Sequence, residues 1–146
     1  EAGREFHYMP VCIQPYANSR RLFETADDMG ARYVLAENCL AGYFDHIVKD
    51  LNVLLTHGDT VQLSIDLDVF AAAYAPGVSA SSFNGILPDL LFKRLIRHII
   101  VSGKVGAIDI AELNPKFDLD NRTARLAASV IFDLVQAADV NAEYPA

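Results

Sequence analysis

The sequence predicts an α/β fold of three layers, α/β/α, with helices on both faces of a mainly parallel sheet. Four apolar, strand-like segments alternate with four segments of helical spacing, and this alternation is typical of a parallel sheet. The third and fourth strand-like segments are apolar on both faces, as buried parallel strands are. With 146 residues, of which 52% are hydrophobic, the chain is long enough for one domain with a sizeable core.

The predicted strands are rich in β-branched and aromatic residues and are bounded by turn-forming residues. They are Phe6–Gln14, residues 31–39, Val61–Phe70 and residues 105–115. Pro15 interrupts the first strand, and Asn-Pro stops the fourth. We therefore expect four neighbouring strands whose carboxyl ends share one edge of the sheet.

The predicted helices have apolar residues at three- and four-residue spacing. The first is capped by Asn18 or Ser19 and ends at Gly30, and the second lies within residues 42–59 and ends at Gly58. The third runs from Pro88 to Gly103, and the fourth is capped by Asp120 or Asn121. A loop rich in Ala, Pro, Gly and Ser, at residues 71–85, separates the third strand from the third helix. Loops of this length in a compact domain are often functional.

Composition and charge exclude several classes of partner. A net charge of −7 argues against nucleic acid, whose binding proteins usually carry a basic stripe. No apolar run approaches the ~20 residues of a membrane span and no signal peptide is visible, so we predict a cytoplasmic protein without a membrane partner. Cys12 and Cys39 are too few and too far apart for a disulfide framework or a zinc site, and we expect buried free thiols.

Asp66 and Asp68 lie near the carboxyl end of the third predicted strand. Residues two apart in a strand share a face, which places their Cα atoms roughly 7 Å apart. Two anions this close in a dry site raise each other's pKa, whereas a bound cation reverses that penalty. Oxygen ligands favour Mg²⁺, Mn²⁺ or Ca²⁺. The polar face of a half-exposed strand, or solvated aspartates before a turn, explains the spacing equally well.

Glu112 lies at the end of the fourth predicted strand, at the edge where open α/β sheets bind ligands. A carboxylate there could receive a cationic substrate group, and a cap or loop-anchoring acid is an equally good explanation. His7, His46, His57 and His98 show no ligand spacing, so we expect surface or structural roles for them.

Two motifs, in order and each on its own strand, resemble the ureohydrolase family of arginases, agmatinases and formimidoylglutamases. They are Ser-Ile-Asp-Leu-Asp at residues 64–68 and Glu-Leu-Asn-Pro at residues 112–115. The resemblance implies an arginase-like fold in which Asp66 and Asp68 bind a binuclear Mn²⁺ centre. It also implies that Glu112 contacts the guanidinium or amidine of a small-molecule substrate, and that the protein forms a homo-oligomer. It assigns no catalytic side chain within this chain.

The residues after Asp68 indicate a subfamily. Arginases and agmatinases usually carry Asp-Pro there, whereas this chain reads Val-Phe-Ala-Ala-Ala-Tyr-Ala-Pro-Gly-Val-Ser-Ala at residues 69–80. This variant is similar to formimidoylglutamases, which implies Mn-dependent hydrolysis of N-formimidoyl-L-glutamate to L-glutamate and formamide in histidine degradation. The alternatives are an agmatinase- or arginase-type guanidino hydrolase and a non-catalytic remnant of the fold.

Two further metal motifs of that family, Gly-Gly-His and Asp-Ala-His-x-Asp, are absent from this sequence. We therefore expect residues 1–146 to be the C-terminal portion of a single ureohydrolase domain, without its N-terminal strands. The resemblance places the strand bearing Asp-Ala-His between those matching Val61–Phe70 and Phe6–Gln14, so its absence would leave a central gap. We predict that the isolated chain binds Mn²⁺ weakly and lacks turnover.

A haloacid dehalogenase-type phosphatase is a rival interpretation, because its nucleophile strand also ends Asp-x-Asp. That family expects Thr or Val where this chain has Phe70, followed later by Gly-Asp-x-x-x-Asp. Neither feature is found, and the rival is disfavoured.

Overall fold

The computed structural model describes residues 6–139, apart from the side chain of Ala41. The elements follow the order β-α-β-α-β-loop-α-β-α, as predicted. They are β1 (Val11–Ile13), α1 (Arg20–Asp28), β2 (Val34–Leu35), α2 (Phe44–His57), β3 (Val61–Asp66), α3 (Leu90–Val101), β4 (Val105–Ala111) and α4 (Arg122–Ala138). None of the helices in this range is long and apolar enough to cross a membrane.

The four strands form two separate parallel pairs. β1 pairs with β2, with Val11 opposite Val34, and β3 pairs with β4 from Val61 opposite Val105 onward. Within residues 6–139 no strand ladder joins the two pairs. The sheet is therefore interrupted, in agreement with the predicted gap.

The first two strands are much shorter than predicted. Only Val11–Ile13 of the expected Phe6–Gln14 strand is paired, and only Val34–Leu35 of residues 31–39. The register between them is irregular, and Cys12 has a φ of 66°. β propensity alone therefore does not set the length of this ladder.

The expectation that β3 and β4 are buried on both faces is wrong. Ile65 is buried on one face of β3, against α3 and α4, whereas Gln62, Ser64 and Asp66 on the opposite face are exposed. The pattern of apolar residues predicted burial, but burial needs a second covering layer, which residues 6–139 do not supply for this face.

Two apolar clusters stabilise the fold, and α3 contributes to both. The first joins β3, the following loop, α3 and α4, and consists of Ile65, Leu67, Phe70, Ala75, Val78, Ile96, Val130 and Leu134. The second joins the β1–β2 region to α2 and α3, and consists of Cys12, Cys39, Ile47, Leu51, Leu91 and Leu95. Both clusters therefore hold the turn after β3 and the sheet edge in a fixed relation to the helices.

Ser19 precedes α1, Gly58 follows α2 and Asn121 precedes α4, as predicted, but the side chains that cap α3 and α4 differ from expectation. Pro88 precedes α3 instead of lying in its first turn, and the Asp89 carboxylate accepts hydrogen bonds from the Leu91 and Phe92 amides at 3.0 and 3.2 Å. At α4 neither predicted residue caps through its side chain; Asp118 accepts from the first-turn amides instead. Asp120 and Asn121 both have a φ of 54°, so they form the turn that brings Asp118 back to the helix.

The two cysteines form a disulfide bond, so the expectation of free thiols is wrong. Cys12 and Cys39 are 27 residues apart in sequence, but their Cα atoms are 5.8 Å apart. Cys12 lies in β1, and Cys39 follows the short 3₁₀ turn after β2. The parallel pairing of the two strands brings these residues together, which sequence separation does not reveal.

Candidate functional site

The two aspartates lie where β3 ends, but not on the same element. Asp66 is the last residue of β3 and is exposed, whereas Asp68 lies in a 3₁₀ turn formed by Leu67–Val69 and is partly buried. The prediction that both belong to one strand, with two-residue alternation, is therefore wrong for Asp68. The turn is anchored because Leu67 and Phe70 on either side of Asp68 are completely buried.

Glu112 directly follows β4 and lies at the same sheet edge. The β3–β4 ladder places Asp66 opposite Ala111, the residue before Glu112. Glu112 itself has a φ of 71°, and the next residue, Leu113, forms an antiparallel bridge to Val78 in the long loop. The structure therefore brings Glu112 to the carboxyl edge where the sequence predicted it.

The charges of the three carboxylates interact. Partial burial raises the pKa of Asp68, and the negative charges of Asp66 and Glu112 raise it further, against a smaller opposing effect of a backbone hydrogen bond. Like charges placed together disfavour ionisation unless a cation balances them. The group therefore has the electrostatic character of a site for a cationic ligand.

The hydroxyl of Ser64 bonds to the neighbouring strand β4 and not to these aspartates. It donates to the Asp109 carboxylate at 2.7 Å, and the Gln62 amide donates to the same oxygen at 2.9 Å. These bonds lower the pKa of Asp109, with Ser64 the larger cause, while partial desolvation opposes them. Sequence analysis missed Asp109. The signal for it was the parallel alignment of Leu-Ser-Ile at residues 63–65 with Ile-Asp-Ile at residues 108–110, which places Ser64 opposite Asp109.

The long loop after β3 is ordered and packs onto the segment that carries Glu112. The Asn114 amide donates to the Gly77 carbonyl at 2.7 Å, and the Asn114 side chain donates to Ser79 at 3.3 Å. Ser82 is buried, and its carbonyl accepts from the Ala72 amide. The loop is therefore fixed to the segment that directly follows Glu112.

Comparison with known proteins identifies the fold and the family. A sequence profile of the arginase family matches residues 2–136. The chain belongs to the arginase family. Formimidoylglutamases of Clostridium tetani and Rhodococcus opacus are 39% and 40% identical over 89% and 92% of this chain. The chain spans about two fifths of the length of these relatives, 38% and 42% respectively.

Solved structures show the same arginase-family fold. The formimidoylglutamase of Bacillus subtilis superposes with a TM-score of 0.83 over 90% of this chain and 41% of its own, at 22% identity. An arginase from Bacillus caldovelox superposes with a TM-score of 0.73 over 86% of this chain and 42% of its own, at 19% identity. The arginase-like α/β fold predicted from the two motifs is thus confirmed.

The candidate ligands of this arginase-family chain are of a suitable chemical type for a metal ion, but they are too few to complete a metal site. Carboxylate oxygens of Asp66 and Asp68 are ligands that suit Mn²⁺. However, among the residues that the structure describes, no group of three or more His, Cys, Asp or Glu side chains is placed to hold a metal ion. The metal-binding role of Asp66 and Asp68 and the substrate-binding role of Glu112 therefore stay predictions.

The histidines lie apart from this site. The rings of His7 and His57 are 4.3 Å apart beside a cavity of about 460 Å³ between α1, α2 and residues 6–9, and none of the three carboxylates lines it. His98 pairs with the Asn52 side chain at 2.8 Å. These positions agree with the expected surface or structural roles.

Proposed function

We propose that this protein, at its full natural length, hydrolyses the linear amidine N-formimidoyl-L-glutamate to L-glutamate and formamide with Mn²⁺ as cofactor. The observation that carries the proposal is the convergence of Asp66, Asp68 and Glu112 at one sheet edge, with the pKa of Asp68 raised by burial and by the other two charges. The identity of 39–40% to formimidoylglutamases supports this substrate over a guanidino compound.

Each carboxylate has a separate role in this proposal. Asp66 and Asp68 would hold Mn²⁺, together with ligands from outside this chain. When bound, the metal supplies Lewis acidity that lowers the pKa of water at the site. Glu112 would accept charge-assisted hydrogen bonds from the amidinium N–H groups and so orient the amidine carbon.

The reaction itself adds one water molecule. Attack of the water oxygen on the amidine carbon forms the new C–O bond. Cleavage of the bond from that carbon to the glutamate nitrogen releases formamide, and both protons of the water end on that nitrogen, which leaves as the ammonium group of L-glutamate. The role of Asp66, Asp68 and Glu112 in this proposal is positional, since holding the reacting groups in the correct geometry supplies much of a rate enhancement.

Two alternative functions are each supported by a specific observation. An agmatine ureohydrolase of Thermoplasma volcanium has the same fold, with a TM-score of 0.72, and a guanidino substrate would use the same carboxylate edge. A non-catalytic role is favoured by the lack of a three-residue metal-binding group within residues 6–139. Substrate preference and metal-dependent activity separate these alternatives.

The test is a hydrolysis assay of the full-length protein with Mn²⁺ and, in turn, formimidoylglutamate, agmatine and arginine. We expect the highest kcat/KM with formimidoylglutamate, and a fall of about hundredfold or more in Asp66→Asn and Asp68→Asn. Asp59→Asn, an exposed aspartate just before β3, is the matched control and should leave kcat/KM unchanged. Full activity of Asp66→Asn would overturn the metal assignment, and a preference for agmatine or arginine would overturn the substrate.

A further inference from the structure

Glu112 has a backbone conformation that needs external support. Its φ of 71° lies in the left-handed region, which residues with a Cβ rarely adopt. Such a conformation persists only where the surrounding structure holds it, and it is often part of how a functional side chain is aimed. The contacts on either side of Glu112 therefore determine where its carboxylate lies.

The backbone is held on both sides of this residue. Before it, Ala111 pairs with Asp66 in the β3–β4 ladder. After it, Leu113 bridges to Val78, and the Asn114 amide donates to the Gly77 carbonyl at 2.7 Å. Glu112 thus turns between two pairings, and the second depends on where Gly77 is fixed.

Gly77 is fixed in turn by the first turn of α4. Its amide donates to the hydroxyl of Thr123 at 2.7 Å, and Thr123 is completely buried. A Cβ on Gly77 would lie 2.4 Å from the Asp118 Cβ, so only glycine permits this close approach. The Asp118 carboxylate accepts from the amides of Thr123 and Ala124 at 2.9 and 3.0 Å, which fixes the turn.

We propose that Thr123 is a positioning residue for Glu112, acting through the amide of Gly77 and the Gly77–Asn114 hydrogen bond. Thr123 acts from α4, through its contacts with Gly77 and Asp118. Its hydroxyl holds in place the part of the long loop that pairs with the segment directly after Glu112. The inference rests on the substrate-binding role proposed above for Glu112, and it adds a specific residue on α4 to that site.

The hydroxyl is the essential group, because the Gly77 amide is buried and would otherwise have no acceptor. Thr123→Val keeps the shape of the side chain and removes the acceptor, together with the hydroxyl's hydrogen bond to Asp118. Thr123→Ser keeps the acceptor and removes a methyl group. The pair therefore separates the hydrogen bond from simple packing.

The first experiment measures amide hydrogen exchange in the wild type and both variants. We expect the Gly77 and Asn114 amides to exchange about tenfold faster or more in Thr123→Val, with the β3–β4 ladder amides unchanged and Thr123→Ser close to wild type. Wild-type protection of Asn114 in Thr123→Val would overturn the proposal. If that variant unfolds, Thr123→Ser decides: retained protection of Asn114 supports the relay, and a tenfold loss overturns it.

The second experiment is a double-mutant cycle on kcat/KM in the full-length protein. Thr123→Val should lower kcat/KM about tenfold, and in a Glu112→Gln background it should cause no further fall, because both changes act on the same contact. Thr25→Val, an exposed threonine on α1, is the control. A further fall of the same size in the Glu112→Gln background would overturn the relay. If the wild type hydrolyses no amidine, the proposed function fails, and the exchange experiment still decides whether Thr123 fixes the Glu112 turn.

Discussion

The hydroxyl of Ser64 on β3 donates a hydrogen bond of 2.7 Å to the carboxylate of Asp109, which lies opposite it on β4. This bond, with a second from Gln62, keeps the pKa of Asp109 below its ordinary value of 3.8. We predict that Ser64→Ala raises the pKa of Asp109 toward that value, as measured by NMR titration of the Asp109 carboxyl carbon. Gln62→Ala should cause a smaller rise.

The same pair predicts the sign of an acid effect on stability. A carboxylate with a lowered pKa in the folded state contributes stability above pH 3.8, and this contribution is lost as the pH falls through the lower folded value. The difference in unfolding free energy between wild type and Asp109→Asn should therefore shrink below pH 3.8. An equal difference at pH 6 and at pH 2.5 would contradict this account.

Mn²⁺ binding by the 146-residue chain alone should be weak. Asp66 and Asp68 provide two carboxylates, and sites with few charged ligands have dissociation constants on the order of 10⁻⁴ M or weaker. Titration followed by the EPR signal of free Mn²⁺ measures this directly, with the Asp66→Asn, Asp68→Asn double variant as the background. Submicromolar binding, or amidine turnover by this chain, would show that residues outside the predicted pair complete a site.

Asp89 should stabilise α3 as its N-terminal cap. Asp89→Ala removes the carboxylate that accepts hydrogen bonds from the Leu91 and Phe92 amides. This loss should lower the free energy of unfolding by about 1 kcal/mol. Urea denaturation followed by circular dichroism measures the change. Asp89→Asn retains a capping oxygen and should stay close to wild type, so an equal loss in both variants would argue against the cap.

Phe70 should be a major determinant of stability. It is completely buried in the first apolar cluster, and its ring meets that of Phe92 edge-on at a centroid distance of 4.8 Å. Phe70→Ala should cost about 3–5 kcal/mol, because the cavity cannot close fully. Phe132→Ala on α4, where the ring is 61% exposed, is the matched control and should change stability by about 0.5 kcal/mol or less. Similar losses in the two variants would contradict the assignment of the core.

Element order could be read from the sequence because it depends on local pattern. The predicted second helix, within residues 42–59, became Phe44–His57, and the third strand and third helix began within two residues of their predicted positions. Apolar spacing and flanking glycines act over a few residues, so they are visible without the fold. The two motifs indicated the family and the fold for the same reason, since each motif is a short run of neighbouring residues.

Features that depend on distant residues were not predicted. The lengths of β1 and β2 depend on pairing partners, and the disulfide between Cys12 and Cys39 depends on the alignment of those two strands. One local feature was also missed: Asn121 occupies the predicted cap position of α4, but the acceptor of the capping hydrogen bonds is Asp118, five residues before Thr123, across a left-handed turn.

The sequence by itself determined the order of helices and strands, the arginase-family membership and the candidate carboxylates Asp66, Asp68 and Glu112. The tertiary structure decided that Asp68 lies in a turn beyond the strand, that Ser64 bonds to Asp109, and that Glu112 turns in a left-handed conformation beside Gly77 and Thr123. The physical reason is that hydrogen bonds, burial and pKa shifts arise between residues more than 40 positions apart, such as Gly77 and Thr123, and only folding brings such residues into contact.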